Sequence, residues 1–233
     1  MSKTDEMKKI EDELLNLKKS PLYAERIKNK VLPVIGEGSY NAKIMFVGEA
    51  PGKNEAMTGK PFCGASGRVL DELLAHIKLD RKDVYVTNIV KDRPTDNRDP
   101  SPEEIKVYGP FLDRQIEIIQ PKVIATLGRY SAEYIMKLFG LEEQIETIGK
   151  MHGKVFETTF FVPINSGSLC RQAPRDDGRS KASPVVSARS GAKRNDEAVQ
   201  KIKIVPLYHP ATALYNSVSR DNLKKDFEVL KSF

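Results

Sequence analysis

The chain has 233 residues, of which 39% are hydrophobic and 30% charged, with a formal net charge of +6 and two cysteines. This composition fits one soluble globular domain. It argues against a disulfide framework, a four-thiolate metal site built from the chain alone, and a membrane span. The basic balance raises the expectation of a polyanionic partner, with a solvated basic surface as the plain alternative, and the charge-alternating N-terminus lacks the apolar core of a secretion signal, so a cytosolic location is expected.

Met7, Ile10, Leu14, Leu15 and Leu17 stand near helical spacing, which predicts a helix from Lys3 to about Lys19, stopped by Pro21. A poorly patterned stretch containing Pro33, Gly36 and Gly38 leads to a short buried strand, KIMFV, at Lys43 to Val47. The loop that follows is rich in glycine, which lets backbone approach a ligand, and in proline, which stiffens its turns. Within it Glu49, Glu55 and Phe62 offer an acceptor, a candidate base and a flat apolar face, a set suited to a planar polar ligand such as a nucleobase. The plain alternative is a surface loop whose Gly and Pro residues only make turns. Ser66 or Gly67 opens a helix through Val69, Leu70, Leu73, Leu74 and Ile77.

DVYVTNIV, Asp83 to Val90, reads as a second strand. A turn-rich segment then leads to a helix signalled by Ser101 as N-cap, Pro102 at the first position and Glu103 and Glu104 in the first turn. Lys122 to Leu127 is a third strand, and Ser131 to about Phe139 a helix. A hairpin strand is expected at Lys154 to Ile164. The segment from Asn165 to Gln200 has seven Lys or Arg against four Asp or Glu and no aromatic residue, and is expected to be a basic, disordered insertion. KIVPLYHP then forms a last strand ending at His209, and a helix from about Ser219 closes the chain. Strands alternating with helices predict a single three-layer α/β/α domain around a central, mostly parallel four-stranded sheet, with the loops after Val47, Val86 and Leu207 at its carboxyl edge.

Four stretches carry a resemblance: GEGSYNAKIMFVGEAPGKNEAMTGKPFCGASGRVLDELL, VYVTNIVKDRPTDNRDPSPEEI, PFLDRQIEIIQPKVIATLGRYS and VPLYHPATALY. In this order they resemble a uracil-DNA glycosylase of family 4. The resemblance implies a catalytic loop at GEAPG, a base-reading Asn at the end of the second strand and a His in the last motif, filled here by Glu49, Asn88 and His209. It also implies that Phe62 stacks on the base and that Glu55 and Asn97 help to hold the flipped nucleotide. In the best-known branch of the superfamily an Asp stands at the position of Ala50, so the water-activating role falls here on Glu49, with Glu55 as the alternative. Leu214 or Tyr215 either wedges into the space vacated by the flipped base or packs under the last helix.

The reading of the residues agrees with this chemistry. The Asn88 amide offers an acceptor for uracil N3–H and donors for O4, the reverse of what cytosine requires. Glu49 suits the sugar side of the bond and His209 the O2 side of the departing ring. Family members carry four cluster-binding cysteines, and the corresponding places here hold Leu17, Ser20, Asp92 and Tyr108, so no iron–sulfur cluster or other cofactor is expected. The expected partner is uracil-containing DNA, single- or double-stranded, bound by a monomer away from membranes. Two other readings within the fold are a non-catalytic binder of uracil or single-stranded DNA and a glycosylase for another deaminated base such as hypoxanthine. A phosphate-binding loop at GEAPGK fails, because no Ser or Thr follows Lys53 and the spacing is short.

Overall fold

The structure is a computed structural model that describes residues 1–163 and 197–233. Its helices are α1 (Lys3–Leu15), α2 (Tyr23–Asn29), α3 (Lys53–Thr58), α4 (Ala65–His76), α5 (Pro102–Ile119), α6 (Arg129–Leu138), α7 (Ile148–Met151) and α8 (Ser217–Glu228). The strands are β1 (Glu37–Gly38), β2 (Ile44–Gly48), β3 (Tyr85–Asn88), β4 (Val123–Leu127), β5 (Phe156–Pro163) and β6 (Glu197–Leu207).

They form one sheet in the order β1-β3-β2-β4-β6-β5. The four central strands are parallel, and β1 and β5 close the edges antiparallel. The expected four-stranded sheet is therefore six-stranded. β1 is only two residues long and too short to leave a pattern, while β5 is the expected hairpin strand joined directly to the sheet. The expected insertion is also shorter than its composition suggested at its distal end, since Glu197–Gln200 open β6 and pair with β5. The rest of that expectation lies outside the described residues.

Alternation along the buried strands builds two cores, because successive side chains point to opposite faces. Met45 and Val47 join Ile124 and Ile204 beneath α1, α5 and α6, whereas Ile44 and Phe46 join Val86 and Val205 beneath α4 and α8. The Phe46 and Phe227 rings stack with centroids 5.7 Å apart, a pairing that adds about 1 kcal/mol beyond area burial. α5 starts as its sequence dictates. Ser101 accepts from the Glu104 N–H, and the Glu104 carboxylate accepts in return from the Ser101 N–H, a reciprocal cap.

The parallel register brings four strand ends level. Gly48 stands opposite Asn88, and Leu127 opposite Leu207. The loops leaving these ends share the carboxyl edge, and they are bound to one another there. Ile89 and Val90 donate their N–H groups to the carbonyls of Gly48 and Glu49, and Gly128 donates to Leu207.

Candidate active site

The geometry of the site starts from Gly48. A Cβ at this position would lie 2.3 Å from Asn88 Oδ1 and 2.8 Å from the tip of the Phe62 ring, so only glycine lets the amide and the ring approach the end of β2 together. Phe62 is buried and has a left-handed backbone, φ 48°. For a bulky residue that conformation costs about 1–3 kcal/mol and needs support from its surroundings. Gly67 supplies part of that support, because a Cβ there would collide with the Phe62 carbonyl as α4 begins. The Phe62 ring then faces the His209 imidazole with centroids 5.7 Å apart.

Asn88 is 2% exposed, and its Oδ1 has no hydrogen-bond partner. An orphaned buried acceptor costs about 1–3 kcal/mol, which a ligand donor at this position would recover. Among the described residues the only other buried side-chain polar atom in this condition is Thr126 Oγ1, in β4.

Behind Asn88 the chain is held by a wholly buried lysine. Lys91 Nζ lies 2.7 Å from each of three acceptors: Thr87 Oγ1, the Asn88 carbonyl and Gln115 Oε1. Thr87 spends its own proton on the Ile35 carbonyl, and Gln115 turns its Nε2 toward the same carbonyl and toward Tyr85 Oη. Burial pushes the lysine pKa well below its ordinary value, opposed by Asp113. We nevertheless assign the ammonium form, since three acceptors require three N–H donors.

Glu49 follows Gly48 and is half-buried. Burial first, and then the charge of Asp99, raise its pKa to about 7, while Arg129 pulls it down. Asp99 accepts from the Tyr130 hydroxyl at 2.5 Å and lies 3.9 Å from the Arg129 guanidinium. The carboxyl is thus poised between acid and base near neutral pH. His209 has the opposite shift: burial lowers its pKa to about 4, against a smaller pull from Glu55. Its Nδ1 accepts from the Ala211 N–H at 3.2 Å, so the proton of the neutral ring sits on Nε2 and is free to be donated.

The remaining expected residues divide. Glu55 lies close enough to His209 to act on its charge, but its Oε1 accepts from the Gly64 N–H at 3.2 Å, which commits it to shaping the loop before α4. Ala50 is partly buried against the core on the α1 side. Asn97, exposed on a turn with φ 54°, uses its Oδ1 to accept from Arg93, and among the described residues its hydrogen bonds do not reach the group around Gly48. Leu214 and Tyr215 follow His209 on a short 3-10 turn. Tyr215 is 88% exposed and so is not packed under α8.

Of the four residues that the family resemblance sets at cluster positions, Ser20, Asp92 and Tyr108 come together as an oxygen-rich, internally bonded group. Ser20 Oγ is 2.5 Å from Tyr108 Oη, and Tyr108 Oη is 2.6 Å from Asp92 Oδ2. Leu17 is buried in the adjoining core. The Arg26 guanidinium occupies the same spot, 3.1 Å from Asp92. These residues do not fit a thiolate-bound cluster.

Asp99, Arg129 and Lys91 are not among the residues that the sequence singles out for the site, whereas Gly48 belongs to the glycines expected to let backbone approach a ligand. A signal existed for Arg129: it leaves the end of a parallel strand, where such sheets place ligand contacts, but GRYS reads only as a turn and helix start. Lys91 is the lysine of the Asn-x-x-Lys motif that the resemblance carries, but on its own a lysine after a strand reads as solvated.

Fold and site together define an α/β/α protein that gathers Gly48, Phe62, Asn88 and His209 at the carboxyl edge of its sheet. The chain belongs to the Uracil DNA glycosylase superfamily, whose family model matches residues 35–231. It is 38% identical over 216 residues to a type-4 uracil-DNA glycosylase of Archaeoglobus fulgidus, covering 93% of this chain and 87% of that one. Against a type-4 uracil-DNA glycosylase of Sulfurisphaera tokodaii it is 37% identical over 228 residues, with 97% and 84% covered. A Thermotoga maritima protein of the same name is 47% identical over 108 residues, 46% of this chain and 56% of that one.

Proposed function

We propose that the protein is a uracil-DNA glycosylase: it draws uracil out of DNA, hydrolyses the N-glycosidic bond, and releases free uracil from an abasic site. The observation that carries this reading is the orphaned Asn88 Oδ1, buried opposite Gly48 and beside the Phe62 ring. Uracil N3–H would satisfy that acceptor, whereas cytosine would set its own N3 lone pair against it, at a cost of about 1–3 kcal/mol. Phe62 would add a stacking face worth about 1–3 kcal/mol.

Cleavage moves the electron pair of the C1′–N1 bond onto the uracil ring and leaves positive character on the sugar. Ionised Glu49 offsets that charge and takes a proton from the water whose oxygen bonds to C1′. Neutral His209 donates a hydrogen bond from Nε2 to uracil O2, where negative charge develops, and the departing uracil anion takes up the proton that Glu49 removed from water, directly or through solvent. Glu49 follows Gly48 in the chain, and His209 faces the Phe62 ring, so a carboxyl and an imidazole are both supplied by the loops at this edge; this supports hydrolysis over mere binding. The reading includes a cytosolic monomer acting on DNA in solution, consistent with the net charge of +6; among the described residues no helix is long and apolar enough to cross a membrane.

The test is alkaline strand cleavage after incubation with oligonucleotides bearing one uracil, single-stranded and paired, beside matched hypoxanthine and cytosine substrates. Excision of uracil far above both others is expected. No excision of uracil, or preference for hypoxanthine, overturns the assignment.

A further inference from the structure

The buried group at Ser20, Asp92 and Tyr108 takes no direct part in the chemistry described above. We propose that it is a metal-free staple, standing where the family's cluster would sit and holding the N-terminal helical segment against the sheet. The proton directions can all be assigned. Leu22 N–H donates to Ser20 Oγ at 3.1 Å, the Ser20 hydroxyl to Tyr108 Oη, and the Tyr108 hydroxyl to Asp92 Oδ2. Arg26 closes the relay from the other side, placing one nitrogen 3.1 and 3.2 Å from the two Asp92 oxygens.

The same guanidinium donates to the carbonyls of Leu14 and Leu15 at 3.0 and 2.7 Å. Those carbonyls lie in the last turn of α1, where helices leave acceptors unpaired, so Arg26 also caps α1. One network therefore joins the end of α1, the start of α2, the loop after β3 and the middle of α5. The Arg26 and Asp92 side chains are 3% and 2% exposed, so water does not compete for these bonds. A lone buried charge would be costly, but here each charge is paired and the hydroxyl chain supplies a further donor. A cluster would require four thiolates at this place; the chain has two cysteines in all, and Cys63 is exposed.

The experiment pairs metal analysis with hydrogen exchange, neither of which depends on the glycosylase assignment. Protein purified without oxygen should contain no stoichiometric iron or acid-labile sulfide. In Asp92→Asn, which keeps the shape but leaves Arg26 unpaired, amides of residues 3–29 should exchange about a hundred-fold faster or more, as expected for breaking a buried pair. Should that variant fail to fold, Tyr108→Phe removes one hydroxyl and should speed the same amides about ten-fold. A cycle combining Tyr108→Phe with Ser20→Ala should be non-additive, the signature of one network. Stoichiometric iron in the wild type overturns the proposal. So does exchange in residues 3–29 that stays within about two-fold of wild type in Tyr108→Phe, given the effect expected of one buried hydrogen bond.

Discussion

The half-buried Glu49 makes a prediction whose sign can be checked three ways. If Glu49 must be ionised to accept a proton from water, kcat/KM on single-stranded uracil DNA should fall ten-fold per pH unit below about 7 and level off above it. At pH 6 about a tenth of the enzyme should be active. Glu49→Gln should abolish the limb along with most of the rate. Asp99 raises the pKa and Arg129 lowers it, so Asp99→Asn should move the limb toward acid and Arg129→Met toward alkali. Asp99 is 68% exposed, so its share should shrink in high salt, whereas the larger share due to burial should persist. Single-turnover excision across about pH 5 to 9 at fixed ionic strength, with each variant in parallel, measures all of this. A limb that survives in Glu49→Gln, or an alkaline shift in Asp99→Asn, refutes the assignment of the base.

Asn88→Ala should cut uracil excision by about a hundred-fold or more, since one or two bonds worth about 1–3 kcal/mol each are lost, while non-specific DNA affinity by anisotropy stays near wild type. Gly48→Ala places a methyl group against Asn88 Oδ1 and the Phe62 ring; it should abolish product inhibition by free uracil and cost about 1–3 kcal/mol of stability in urea titration. Lys91→Met strands three acceptors and should cost about 3 kcal/mol or more, seen as a fall in Tm of roughly 6–12 °C. The folded-state pKa of His209 lies below its ordinary 6.5, so its contribution to stability is complete above that pH and is lost as pH falls from about 6.5 toward about 4. That loss should be absent in His209→Asn, as read by denaturant titrations at a series of pH values.

The parts of this protein written in local pattern were legible in its sequence. Ser101, Pro102 and Glu104 announce α5 and KIMFV announces β2, whereas the glycine loop with Phe62, before any relative is considered, suits a ligand site and a plain surface turn equally. Features that depend on partners far along the chain were not. Arg26 lies in a stretch without periodicity, and only Asp92, 66 residues away, makes its burial tolerable. The burial of Lys91 likewise rests on Gln115, which sequence reading placed on a helix with no special role. β1 is too short to show alternation, and α2 is a seven-residue helix without an apolar face long enough to register.

Those two unforeseen networks bear on the expected one. In the proposed reaction Asn88 would read the base only if its amide is held within a few tenths of an ångström before the ligand arrives, because reorganisation during the reaction would consume the discrimination it provides. Its side chain has no partner on Oδ1 to hold it, so the backbone must do so. Lys91 fixes the Asn88 carbonyl from behind, and β2 fixes the next two N–H groups through Gly48 and Glu49. Asp92, one residue beyond, is pinned by Tyr108 and Arg26. From 88 to 92 the chain is therefore anchored on α5 and α2 as well as on the sheet, while Asn88 Oδ1 stays unbonded. Rigidity is concentrated in backbone and buried cations, and the atom that would recognise the base in the proposed reaction is the one without a partner.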